Sequence, residues 1–468
     1  MSLIMKKITL ITSLFCSFVA FSQALDTEKA FADETNKLND ISRLLQMAEE
    51  NLNKSLYTRH ETVMKRLIKL RPFNPDFRLE LAKSYALQND KSAAYNELIE
   101  LQKAGLSYVI GDRKGFDNIK GTKVFDYIED EMIKNGQAFG EGEKAFTISH
   151  HYSGMLFENM AYDSKQKRFL LGSVRAGSIY QYTEKDGFEE FIKPSNPATG
   201  PWGTIDLVAD NKADVLWVSS ATLPHYTGTT QTNFGRAMIS KFKLSTGELI
   251  KNYVTANSNK PMLFSAMHLT SGQNLYFVDA FGSDFYRIKK DSETVEPLIS
   301  LPGLASVKAI TSNETESILY VSDYEQGLFV INLKELKVKP LIQTGKGFIA
   351  GISDVFYDQG DLVAIQSGVS PVRLMRYVLE KDLFLRNMFP IEASHPTFKS
   401  LGNGLLVGDY IYYAANSQWE KLDPMGRLLP EQTWEPLEII KSPTKYMMEE
   451  HEQQQQRMEE IKRKRGIK

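Results

Sequence analysis

The 468-residue chain contains one cysteine, Cys16, and seven histidines. One thiol cannot form an intrachain disulfide or build a multi-thiolate metal centre, so cysteine-based stapling and metal chemistry are excluded. The histidines show no HExxH-type spacing. His150 and His151 are neighbours and His268 stands alone, which predicts packed or exposed rings rather than metal ligands. An excess of one charge is missing as well: 56 basic residues face 58 acidic ones, leaving no broad field for nucleic acid or an anionic membrane. The glycines of "GKGFIAG" lack Walker spacing and a following hydroxyl, so that stretch is expected to be a connection between strands. Nor is there a run of apolar residues long enough to cross a membrane, since residues 8–21 fall short of one span.

That short run follows Lys6 and Lys7 and precedes small and polar residues, the pattern of a secretory signal over 1–23. The expectation is an exported protein, periplasmic or extracellular, with no transmembrane segment after cleavage. A lipoprotein anchor on Cys16 is the competing reading. Bulky Phe15, where a small residue is expected before a lipidated cysteine, argues against it. The mature chain would then hold no cysteine and depend on its core alone for stability.

From 26 to 140 apolar residues recur at three and four positions, as in "ETVMKRLIKL" and "FRLELAKSYALQNDKSAAYNELIELQKAGL", which predicts amphipathic helices. Leu81, Ala82, Tyr85, Ala94, Leu98 and Leu101 fall at the packing positions of a helix hairpin that resembles a tetratricopeptide repeat. One period earlier lie Met64 and Leu67, while His60 takes the small-residue position, so that repeat is degenerate. A generic helical bundle is the plainer alternative. Either arrangement implies a surface for a protein or peptide partner.

Beyond "NGQAFGEGEK", a stretch expected to be an exposed linker, the period changes from helical to alternating. Six apolar runs, "FLLGS", "LWVSS", "LYFVD", "LYVSD", "LVAIQ" and "IYYAA", end at Ser173, Ser220, Asp279, Asp323, Gln366 and Ala415. They recur about every 40–60 residues, the length of one four-stranded blade, and predict a six-bladed β-propeller over 145–430. The fold class is therefore α+β multidomain, helical hairpins followed by an all-β propeller. The segment "TLPHYTGTTQTNFGRAM" is expected to be an insertion near one rim. A charged, glutamine-rich tail over 440–468 closes the chain.

The innermost strands of a propeller line its channel. Glu158, Ile205, Ser265, Lys308 and Asp354 occupy comparable positions in five of them, with Ser353 the alternative to Asp354 and Thr397 or Asn403 the candidates in the sixth. At these residues, and in "FENMAYDSKQKRFLLGS" and "VKAITSNETESILYVSDY", the chain resembles the gluconolactonase and regucalcin (senescence marker protein) family. The resemblance implies a channel that holds calcium or zinc through a Glu of blade one, Asn residues of blades three and four and an Asp of blade five. Glu158 and Asp354 match the acids. Ser265 and Lys308 replace the asparagines, and an ammonium has no lone pair for a metal. The expectation is a degenerate metal site in which Lys308 lies between Glu158 and Asp354 and contacts both.

Two function classes follow. The first is an exported non-enzymatic scaffold, its repeats on a protein partner and its channel open to a small ligand, with no cofactor. The second is a lactone or ester hydrolase with a divalent cation on Glu158 and Asp354. Trp217 and Trp419 are expected to fill blade packing, and Trp202, in "NPATGPWGT", to stack on a ligand at the rim, with Thr397 and Asn403 beside it.

Overall fold

The computed structural model describes residues 27–193, 199–253, 260–343 and 347–445. The signal segment with Cys16 and the tail beyond 445 lie outside the described residues. The chain divides into two compact units that meet between Asn135 and Gly136.

The first unit consists of helices that pack each against the next: α1 Ile41–Asn53, α2 Tyr57–Leu70, α3 Pro75–Leu87, α4 Lys91–Lys103 and α5 Lys123–Asn135. Local chemistry sets their starts. Asp40, Asn74 and Asp90 each accept a backbone N–H of the first turn at 2.9–3.0 Å, and Pro75 opens α3, where its missing N–H costs nothing. Leu44, Val63, Met64, Leu67 and Leu81 share one core. His60, at the position where a small residue was expected, is buried instead, its Nδ1 2.6 Å from the Ser84 hydroxyl. Burial pushes the His60 ring below its usual pKa, so it packs as a neutral group. The helices form a sequential array of hairpins; this packing does not by itself establish a tetratricopeptide repeat.

The second unit is a six-bladed β-propeller. Its inner strands are Phe157–Asp163, Gly203–Asp210, Phe264–Leu269, Val307–Ser312, Ile352–Asp358 and Gly404–Val407. Each pairs antiparallel with the strand that follows it, and those second strands are the six apolar runs of the sequence. They are buried because neighbouring blades cover both faces, which is why they read as continuous rather than alternating. Turns after the inner strands are built by their last residue: Asp163 Oδ1 accepts the N–H groups of Lys165 and Gln166, and Asp210 Oδ1 those of Lys212 and Ala213.

The ring is closed by a strand from its own beginning. Glu143–Ile148 pairs with Leu437–Pro443 as the outermost strand of blade six, so the last blade joins both ends of the propeller. Closure removes what would otherwise be an open edge. The blade thus runs on past residue 430. The linker is not free either, because Phe139 and Ala393 exchange backbone hydrogen bonds at 2.9 Å.

Two buried arginines tie blades together. Arg168 donates to Asp163 at 3.1 Å and to the Leu244 carbonyl of blade two at 2.6 Å. Arg376 on blade five donates to Asp358, Asp361 and the Thr444 carbonyl that follows blade six. Their guanidinium groups replace water for carboxylates that are themselves shut away from solvent.

Candidate functional site

Five of the six inner strands carry a β-bulge at one common level. Pairing with the second strand slips between Phe157 and Met160, Thr204 and Asp206, Phe264 and Ala266, Val307 and Ala309, and Ile352 and Asp354. A bulge breaks the strict alternation of faces, which re-aims the residues beside it. The skipped residues include Glu158, Ile205, Ser265 and Lys308. In blade five the skipped residue is Ser353, so Asp354 stands one step further on and corresponds to Asp206 of blade two. Ile205 itself is half-buried and packs into the core between blades two and three.

A cavity of about 470 Å³ fills the channel, and each blade contributes one polar residue of a ring around it: Asn159, Asp206, Ser265, Lys308, Asp354 and Asn403. Sequence reasoning missed Asn159 and Asp206, since one-residue slips at bulges leave no mark on the hydrophobic pattern. Four ring members tie their blade to the next. Asn159 donates to the Ile205 carbonyl, Asp206 accepts the Met267 N–H at 2.6 Å, Ser265 donates to the Val307 carbonyl at 3.4 Å, and Asp354 accepts the Gly404 N–H at 2.8 Å. The remaining oxygens of Asp206 and Asp354 accept the next N–H of their own strands, Leu207 and Val355.

Lys308 differs from them. Its side chain is exposed, and among the described residues it makes neither hydrogen bond nor ion pair; its Nζ lies 5.9 Å from the Tyr324 ring centroid. The expected contact of its ammonium with Glu158 and Asp354 is not formed. Glu158 sits at the channel end where the inner strands begin, and its carboxylate accepts the indole N–H of Trp419. Trp419, expected as blade packing, therefore covers that end of the channel. The His225 ring meets it edge-on at 4.9 Å, carried there by the insertion between the second and third strands of blade two.

Electrostatics follow burial. Burial raises the Glu158 carboxyl, opposed by the Trp419 hydrogen bond and the Lys308 charge. Burial holds Asp206 well above the carboxylate range despite its two N–H donors, and the charges of Asp354 and Glu158 push it further. Asp354 is raised by burial to about 7. His268, on the same wall, is lowered by burial to about 4 and is a neutral acceptor for the Ser312 N–H, which makes it a tie to blade four.

The other expected residues stand elsewhere. Trp202 is only 4% exposed and packs with Tyr226 and Met238, so it has no face to offer a ligand. The Thr397 hydroxyl closes a local turn 2.6 Å from His395 Nδ1 and does not line the channel cavity. His150 and His151 are exposed, their rings 4.1 Å apart.

The residues present do not fit the divalent cation that the resemblance implies. Calcium needs six to eight converging oxygens. Among the described residues no three His, Cys, Asp or Glu side chains are grouped to hold an ion. Asp206 and Asp354 spend their oxygens on backbone N–H groups, Glu158 gives one to Trp419, and Lys308 brings a positive charge into the ring. Chelator treatment and added calcium are both expected to leave the melting temperature of the full chain within about 1 °C, because a ligand that binds only the native state must raise it. Stoichiometric calcium or zinc in protein purified without chelator, lost with a fall in melting temperature, would overturn this.

No protein-family model and no curated protein matches the chain in sequence. Among solved structures it is similar to a PQQ-bound aldose sugar dehydrogenase from Streptomyces coelicolor, at 12% identity and a TM-score of 0.44 over 65% of this chain and 99% of that one. It is also similar to a gluconolactonase from Xanthomonas campestris, at 10% identity and a TM-score of 0.42 over 66% and 97%. A virginiamycin B lyase from Staphylococcus aureus matches at 12% identity and a TM-score of 0.41 over 65% and 99%.

Proposed function

We propose that the propeller channel binds a small molecule bearing an ester, lactone or carboxylate oxygen, and hydrolyses the ester or lactone bond without a metal. One observation carries this reading: the ring holds a lysine that makes no hydrogen bond or ion pair among the described residues, beside carboxyl groups that are already tied. A lone ammonium on the wall of a cavity is a ready acceptor of negative charge. It can polarise a carbonyl and stabilise the oxyanion that forms when water attacks. Asp354, on the same wall and raised to about 7, keeps one lone pair on each oxygen beyond the Val355 and Gly404 N–H groups, enough to take the proton of that water and later deliver it to the leaving oxygen. A cavity of about 470 Å³ suits a ligand of metabolite size.

A second reading, binding without turnover, is favoured by the ties that occupy Asp206 and Asp354. In it the carboxyls hold blades together and Lys308 alone grips an anionic ligand. Export through the N-terminal segment, and a protein partner for the helical hairpins, belong to both readings.

The test is turnover of a panel of γ- and δ-lactones and aryl esters by the purified full chain, with and without chelator. Chelator-insensitive hydrolysis is expected, falling at least about 100-fold in Lys308→Met, the loss typical of one oxyanion-stabilising group. Saturable binding with no turnover would select the second reading. Hydrolysis that survives undiminished in Lys308→Met would overturn the channel mechanism.

A further inference from the structure

A second cavity, about 1230 Å³, lies outside the channel on the rim between blades two and three. Its walls come from separate elements. The outer strand Leu249–Tyr253 of blade two supplies Tyr253, and the hairpin joining Leu275–Asp279 to Asp284–Ile288 of blade three supplies Asp279, Phe281 and Asp284. The insertion of blade two adds Phe234.

Three features of this wall are left unexplained by folding. Asp279 and Asp284 are directly paired across the hairpin, an arrangement of like charges that destabilises a sheet. Both carboxylates face the space over Gly282, where a Cβ would stand 2.7 Å from Asp284 Oδ2 and 3.2 Å from Asp279 Oδ2. Asp279 is partly answered by the N–H groups of Leu263 and Phe281, whereas Asp284 has no hydrogen-bond or ion-pair partner among the described residues. The second feature is the Tyr253 hydroxyl. Its residue is 4% exposed, and the oxygen is buried with no partner, a costly state for a polar group at a cavity wall. The third is a pair of large apolar rings in solvent: Phe234 is 52% exposed and Phe281 is 59% exposed.

From this combination we infer that the rim cavity is a binding site for a neutral saccharide, independent of the channel. Sugar hydroxyls donate, and the two converging carboxylates can accept. The C–H face of a pyranose covers an exposed phenyl ring in the way apolar groups do, with a few polar groups fixing its orientation. An anionic ligand would be repelled by the acid pair. A cationic ligand would have to share the acid pair with the ammonium groups of Lys251 and Lys260, which line the same cavity.

The experiment is isothermal titration of the full chain with maltotriose, cellotriose and chitotriose, alongside calcium chloride and trilysine. At least one trisaccharide is expected to bind with a Kd of about 1 mM or tighter. Affinity should drop at least about tenfold in Phe281→Ala and in Asp284→Asn, a loss of about 1.4 kcal/mol, and stay unchanged in Lys308→Met. Both rim substitutions are at accessible positions and leave the blade cores untouched. Failure of all three sugars to bind, binding that persists in both rim variants, loss in Lys308→Met instead, or a response to calcium or trilysine alone would overturn the inference. None of these outcomes bears on hydrolysis in the channel.

Discussion

Replacing Arg376 with methionine is expected to destabilise the propeller by about 3–5 kcal/mol, the cost of breaking a buried ion pair by removing one partner. Its side chain is 4% exposed and supplies hydrogen bonds to the Asp358 carboxylate, the Asp361 carboxylate, the Asp358 carbonyl and the Thr444 carbonyl. Methionine fills much of the same volume and returns none of these. Two carboxylates of opposite ends of one turn are then left facing each other in a dry pocket, and blade five loses its link to the end of blade six. Lysine is no substitute, since a single ammonium cannot span acceptors arranged for a planar fork. Urea unfolding followed by β-sheet circular dichroism measures the loss. A shift below about 1 kcal/mol would show that water enters the site and that the pair is worth what surface pairs are worth. Asp358→Asn and Asp361→Asn added to Arg376→Met should recover part of the loss, because the uncompensated charges are gone.

Asp354→Asn is expected to lower hydrolysis about 100-fold, the usual contribution of a positioned acid–base group. The wild-type rate should rise with pH as the Asp354 carboxyl ionises, with a midpoint near 7, and level off above it. The variant's residual rate should lose that rise. Stability has the opposite slope. Burial raises this carboxyl above its ordinary value near 4, so between about 4 and 7 the folded protein keeps a proton that the unfolded chain releases. Its contribution therefore turns unfavourable as pH climbs through that window and is fully unfavourable above about 7. Asn cannot ionise, so the melting temperature of the variant should fall less between pH 5 and 8 than that of the wild type. It will also be lower at pH 5, because the Asn amide gives one acceptor where the carboxyl served both Val355 and Gly404. A rate profile of the variant with its rise near 7 intact would assign the proton to another group. Asp206 is the first to examine, as the other ring carboxyl raised by burial.

Much of the architecture was legible in the amino-acid order. Second strands such as Val215–Ala221 and Ile318–Asp323 are covered on both faces, so they must be apolar throughout, and their recurrence counts the blades. The helices of the first unit announce themselves through period and through Asp40, Asn74 and Asp90 at their starts. These are local demands, and each is met by residues a few positions apart. That Ser265, Lys308, Asp354 and Asn403 line one channel also follows from placing an inner strand just ahead of each apolar run.

What tertiary structure decided is which neighbour of each such residue does the work. A bulge shifts pairing by one residue without altering composition or period, so Asn159 stood behind Glu158 and Asp206 behind Ile205. The Trp419 contact to Glu158 spans 261 residues of chain, and the strand Glu143–Ile148 completes a blade whose other strands begin at Gly404. Ring closure brings such segments together, and no local preference of either segment records it. Whether a lysine in the ring meets a carboxylate or stands free depends on side-chain reach across an open channel. At Lys308 the neighbouring carboxylates are claimed first, by backbone N–H groups and by an indole, and the ammonium is left without a hydrogen bond or ion pair among the described residues.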